Sequence, residues 1–162
     1  MRKIFIVGSV ASGKTTLAKR LSMKMDIPWY ELDSFVHHRT STGRNKRTAN
    51  EQVDAIKEID KQDNWIFEGT DRESYQCLYQ MADTIIFLDT PLWKRHTRIV
   101  SRFCKQRLGL EKCQYKPDFW MLKMMFKWTR DFERNRSRLE DKLNVYQEKL
   151  IRLRDNGGYM DR

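Results

Sequence analysis

The sequence predicts an α/β fold, a parallel sheet with helices packed on it, and three observations carry that expectation. The first is Gly8-Ser9-Val10-Ala11-Ser12-Gly13-Lys14-Thr15, which fits G-x-x-x-x-G-K-[ST]. It lies between an apolar, β-rich run, Lys3 to Val7, and a stretch from Thr16 in which Leu17, Leu21 and Met25 recur at helical spacing. The second is Thr84-Ile85-Ile86-Phe87-Leu88, a continuous apolar run of the kind a strand shows when both its faces are buried. The third is length: 162 residues, with no internal repeat, low-complexity tract or linker, suit one domain with a sizeable core.

The glycine-flanked loop carries the chemistry. Its glycines let the backbone curl so that successive N–H groups from Gly8 to Thr16 face an anion, Lys14 reaches the outer phosphates, and Thr15 offers a hydroxyl to Mg²⁺. Strand, loop and helix start come in the order that this chemistry needs.

Taken along the chain, Ile27-Pro28 ends the first helix and Trp29-Tyr30-Glu31-Leu32 reads as a second strand ending in Asp33. On the ligand side of an open sheet, Asp33 either holds an acceptor hydroxyl or a metal-bound water, or caps a helix over Ser34 to His38. His37 and His38 point to different faces of such a helix and lack metal-ligand spacing. Arg39 to Arg47 reads as a mobile basic loop whose Arg39, Arg44, Lys46 and Arg47 surround an anionic acceptor, followed by an amphipathic helix from Ala49 to Lys61.

Trp65-Ile66-Phe67 is the third strand. Glu68 after it is the candidate for ordering Mg²⁺ and its waters, Gly69 for close backbone approach to substrate, and Arg72 for clamping an acceptor anion. Glu73 to Met81 reads as a helix. After Leu88 and Asp89, Pro91 suits the first position of a helix running to about Arg107. There Ile99, Val100 and Phe103 supply a packed face, and Arg95, Arg98 and Arg102 form a cationic stripe suited to the charge of a transferring phosphoryl group.

Leu108 to Pro117, with Gly109, reads as a lid tip, and Asp118 to Tyr146 as helix, with Arg130, Arg134 and Arg138 on one face. The aromatic and methionine cluster from Trp120 to Trp128 reads as core or hydrophobic lid. Lys149 to Arg154 is short enough for a fifth strand, closed by Asn156-Gly157-Gly158.

Composition bounds the rest. Cys77, Cys104 and Cys113 show no metal-ligand spacing and read as reduced thiols of a cytoplasmic protein. No signal-like segment or membrane-length apolar run occurs. Lys and Arg outnumber Asp and Glu by 32 to 22, a net charge of +10 that suits anionic ligands when gathered at one site.

With these residues in place, the chain resembles the adenylate-kinase-like branch of the phosphate-loop kinases, and within it the small bacterial DNA topology modulation (FlaR-type) proteins. The resemblance spans nearly the whole length and rests on Gly8 to Thr15, Leu32-Asp33, Trp65 to Gly69, Ile86 to Pro91, and Arg98-Ile99-Val100-Ser101-Arg102. It implies a three-layer α/β/α domain with a five-stranded parallel sheet of order 2-3-1-4-5 and a helical lid over roughly 98–138. It also implies ATP as donor with Mg²⁺, held by Lys14, Thr15 and Glu68. Arg98, Arg102, Arg130 and Arg138 match lid arginines, and Asp33 and Arg72 match acceptor-side positions.

Three departures qualify the likeness. Glu stands at 68 where adenylate kinases have Asp, Phe-Pro-Arg does not follow Gly69, which argues against AMP as acceptor, and the closing helix is missing, as truncation or dimerisation would explain.

Three readings follow. One is an ATP-dependent kinase, monomeric or homodimeric, for a nucleoside, nucleotide or other small phosphate acceptor. The second is a nucleic-acid-associated protein, which the charge allows and no recognition motif supports. The third is a regulatory nucleotide-binding module with little turnover.

Overall fold

The computed structural model describes residues 2–40, 43–110 and 118–155. Five strands, β1 (Arg2–Gly8), β2 (Trp29–Glu31), β5 (Asn64–Gly69), β6 (Thr84–Leu88) and β7 (Leu150–Leu153), form one sheet in the spatial order β2-β5-β1-β6-β7. Every neighbouring pair is parallel. Numbered among themselves along the chain, these strands run 2-3-1-4-5, the order expected from the resemblance.

Alternation along β1 divides the core in two. Phe5 and Val7 face one side, with Trp65, Phe67, Ile85 and Phe87. There they meet Ile56 of α3 (Ala49–Asp60), Leu78 and Tyr79 of α4 (Gln76–Met81), and Leu139 and Leu143 of α7 (Arg136–Asn144). Ile4 and Ile6 face the other side, with Ile66 and Ile86, against Leu17, Ala18 and Leu21 of α1 (Lys14–Met25). The same period of two places Glu68, two residues after Ile66, on the α1 face.

Trp65 is fully buried, and its indole N–H donates to Asp60 Oδ1 at 2.8 Å. The same carboxylate oxygen accepts from Lys3 Nζ at 2.7 Å, so a buried tryptophan and a nearly buried lysine share one partner. This satisfies polar atoms that burial would otherwise leave without hydrogen bonds.

Several sequence expectations are corrected. The second strand stops at Glu31, and the short helix α2 (Leu32–Phe35) begins one residue before Asp33, so Asp33 lies in its first turn and does not cap it. Leu32 and Phe35 are buried, which draws the chain into a helical turn over the core. His37 and His38 belong to a strand, β3 (His37–Thr40), which pairs antiparallel with β4 (Gly43–Lys46); the segment expected as a basic loop is a small hairpin. The side chains of 37–46, among them Arg39, Arg44 and Lys46, lie outside the described ones.

Glu73 to Met81 divides into a short 3-10 turn (Glu73–Tyr75) and α4. Pro91 is the N-cap of α5 (Leu92–Arg107), one position earlier than expected, and Val100 on that helix is 45% exposed instead of packed. The stretch expected as one helix is two, α6 (Phe119–Arg134) and α7, broken at Asn135. The Asn135 amide donates to Asp131 O at 2.8 Å, competing with the backbone ladder as Asn side chains do at helix ends. Most of the expected lid tip (111–117), Cys113, and Asn156 to Gly158 fall outside the described residues. Among the described residues no helix is long and apolar enough to cross a membrane.

Candidate active site

The loop leaves β1 where only glycine fits. A Cβ on Gly8 would lie 2.8 Å from the carbonyl oxygen of Leu88 in β6 and 3.1 Å from Ser12 Oγ. Two residues then take left-handed backbone, Ala11 at φ 58° and Gly13 at φ 100°, and Gly13 is the N-cap of α1. Thr90 Oγ1 donates to Ser12 O at 2.8 Å, which fixes the far side of the loop. No side chain caps α1 and no acid lies in its first turn, so its N-terminal N–H groups and dipole are left for an anion. Ser9 and Ser12 are buried in the loop, and neither hydroxyl has a hydrogen-bond partner among the described residues.

Lys14 and Thr15 start α1 from this loop. The ammonium of Lys14, 9% exposed, donates to Ser9 O at 2.7 Å. Burial lowers its pKa, opposed by the carboxylates of Glu68 and Asp33. Thr15 Oγ1 donates to Glu68 Oε1 at 2.6 Å, and Glu68 is 3% exposed. Burial holds the Glu68 carboxyl above its ordinary value, while Lys14 and the Thr15 hydroxyl pull the other way.

These residues fit a phosphate chain and a hard cation. Orphaned hydroxyls, a buried ammonium and open helix N–H groups suit phosphate oxygens. Thr15 and Glu68 set two oxygen donors side by side, as Mg²⁺ uses when phosphates and water complete its shell. Among the described residues no group of three or more His, Cys, Asp or Glu side chains could hold a metal ion by itself.

Beside the loop, a cavity of about 450 Å³ is lined by Ala11, Gly13, Thr16, and by Thr97, Arg98, Ser101, Arg102 and Lys105 of α5. Arg98 meets the loop backbone: Nη1 donates to Ser12 O at 2.6 Å and Ala11 O at 3.4 Å, and Nη2 to Asp155 at 3.0 Å. Arg102 lines the same cavity and is close enough to Lys14 to lower its pKa.

The cationic stripe is corrected at Arg95. It is 1% exposed, pairs with Glu133 of α6, and lies over the Phe132 ring at 5.5 Å. It joins two helices and does not line the cavity. Of the later arginines, Arg130 is exposed, and Arg138, with its side chain 75% exposed, lies 3.9 Å from Glu73; neither is among the residues that line the cavity beside the loop.

On the acceptor side the structure joins the two residues singled out in the sequence. Arg72 Nη2 donates to Asp33 Oδ1 at 2.8 Å, and the guanidinium lies 5.8 Å from the Tyr75 ring centroid. Gly69 is required by packing on the core side. A Cβ there would meet Leu32 Cδ1 at 2.8 Å, so the glycine makes room for the core at the start of α2.

Sequence reasoning missed Thr90, Lys105 and Asp155. Thr90 and Asp155 each lie two residues beyond a strand's end, on the side where parallel sheets bind ligands, and that position was the available signal.

No protein-family model and no curated protein matches the sequence. Solved structures do match. An uncharacterized protein from Eubacterium ventriosum shares 16% identity over 99% of this chain and 94% of its own, at a TM-score of 0.55. A gluconokinase from Sinorhizobium meliloti shares 16% over 96% and 83%, at 0.52. A shikimate kinase from Bacteroides thetaiotaomicron shares 15% over 84% and 80%, at 0.51. With the sheet order and the loop, these likenesses define the fold as that of the phosphate-loop kinases.

Proposed function

We propose that the chain is an ATP-dependent, Mg²⁺-requiring phosphotransferase whose acceptor is a nucleoside, a nucleotide or another small metabolite. The observation that carries this reading is the cluster of buried Lys14 and Glu68 with Thr15 at the N-terminus of α1, in the same loop as two buried serine hydroxyls that have no partner among the described residues. Names of neighbours in the fold, a gluconokinase and a shikimate kinase, point to the same class of chemistry. The adenylate-kinase-like lid motif, Arg98 to Arg102, is the basis for the finer family reading.

ATP with Mg²⁺ supplies a γ-phosphoryl group whose transfer needs chiefly positioning and charge neutralisation. Loop N–H groups and Lys14 bind and orient the phosphates. Thr15 and Glu68 hold the cation, and Arg102 adds positive charge beside Lys14. In this reading Asp33 orients an acceptor hydroxyl, or accepts its proton, with Arg72 as its ionic partner.

The net charge of +10 does not by itself mark a nucleic-acid face, since Arg72, Arg95, Arg136 and Arg152 each face a carboxylate. The test is a coupled ADP-release assay with ATP and Mg²⁺ over a panel of nucleosides, nucleoside monophosphates and hydroxylated metabolites. One acceptor should raise turnover in the wild type, and Lys14→Ala should lower that rate by about 10²–10³-fold. Absence of turnover above the Lys14→Ala baseline for every acceptor would count against the kinase reading.

A further inference from the structure

The C-terminal end of β7 is held beside the phosphate loop by the sheet. Leu153 pairs with Leu88 in the β6 register, and Asp89 N donates to Leu153 O at 2.8 Å. Two residues on, Asp155 meets two cations of α5: Oδ2 accepts from Lys94 Nζ at 2.8 Å, and Oδ1 from Arg98 Nη2 at 3.0 Å. Arg98 uses its other terminal nitrogen on the loop carbonyls of Ser12 and Ala11. One guanidinium thus bridges the phosphate loop and the last strand, while its side chain walls the cavity between loop and α5.

A guanidinium is planar, and two anchored corners fix its plane. Ser12 O and Ala11 O anchor one corner. Without an acceptor at the second, Arg98 would rotate about its remaining contact like any long, flexible side chain, and the cavity wall would lose its shape.

We propose that Asp155 is a positioning residue for nucleotide binding, holding Arg98 in the orientation that braces the phosphate loop and shapes the cavity beside it. This rests on the reading of the loop as a nucleotide site. The Arg98 and Asp155 side chains are 33% and 40% exposed, so the pair contributes little to folding, and its loss acts on binding.

The experiment uses the full chain as wild type, Asp155→Ala and Asp155→Glu, with two readouts. One is the Kd of a fluorescent ATP analogue with Mg²⁺. The other is the rate at which phenylglyoxal modifies Arg98, followed by mass spectrometry of its peptide without nucleotide. Asp155→Ala should weaken nucleotide binding by about three- to tenfold and speed modification of Arg98, at a melting temperature within ~2 °C of wild type. Asp155→Glu, which keeps the charge, should recover most of both. Wild-type affinity and Arg98 reactivity in Asp155→Ala would overturn the inference alone, and so would tighter binding, which would make Asp155 a competitor for Arg98. A wild-type protein that binds no nucleoside triphosphate would overturn it together with the functional reading beneath it.

Discussion

Thr15 and Glu68 come from neighbouring parts of the sheet, the helix after β1 and the end of β5, and meet at 2.6 Å with the threonine hydroxyl as donor. The bond places an ionisable group in contact with the residue expected to hold the cation. Burial of Glu68, against which the bond works, gives the site its pH dependence.

Burial raises the Glu68 pKa above its ordinary 4.5. A folded pKa above the unfolded one means that the folded protein binds the proton more tightly. The stability Glu68 contributes is therefore fully present below about pH 4.5 and is lost as pH rises through the raised folded value. Urea unfolding of Glu68→Gln should show a flatter pH dependence than wild type over that window. Mg²⁺-dependent nucleotide binding should run the other way, weakening in wild type as pH falls through the same value, because the cation takes the ionised form.

Asp33 and Arg72 form a pair with side chains 55% and 43% exposed. Exposed pairs contribute little to stability, so Asp33→Asn and Arg72→Ala should each lie within ~0.5 kcal/mol of wild type in urea unfolding. Their effect should fall on turnover, with at least a tenfold loss in kcat/KM for the acceptor and an unchanged Kd for nucleotide.

Glycine at 69 is a packing requirement. Gly69→Ala puts a methyl against Leu32 and should cost about 1–3 kcal/mol by urea unfolding. Leu32→Ala in the same chain should recover part of that loss, a coupling that a substrate-contact role for Gly69 would not produce.

Arg95 is buried with one carboxylate partner, and its Nε and Nη1 have none among the described residues. Glu133→Ala leaves this cation uncompensated. A third of the Glu133 side chain is exposed, so water tempers the loss to about 2–3 kcal/mol, below the range for a fully buried pair. Arg95→Met with Glu133→Leu should regain most of it, as replacing both charges with apolar groups does elsewhere. Thermal melts of the single and double variants give the comparison.

The case of Arg95 also shows what the sequence left unreadable. Spacing puts Arg95 with Arg98 and Arg102, and equally one turn before buried Ile99; the deciding contact, Glu133, lies 38 residues further on. Asp155 could be read from its place just beyond a strand's end, but its partners could not, since they are set by the β6–β7 register. The hairpin of β3 and β4 has a polar sequence, so apolar alternation could not announce it. What was legible was local: the loop with its flanking strand and helix, the apolar run of β6, and the carboxylate at the end of β5. Asp33 and Arg72 were legible as residue types at strand ends, and only folding showed that they meet.

Among the described residues both outer strands of the sheet are short, three residues in β2 and four in β7, against seven in the central β1. A strand that brief offers an approaching chain few free N–H and C=O groups to pair with, which guards against edge-to-edge aggregation. The taper concentrates backbone pairing in the middle of the sheet, where the loop begins, and leaves the rims poor templates for fibril growth.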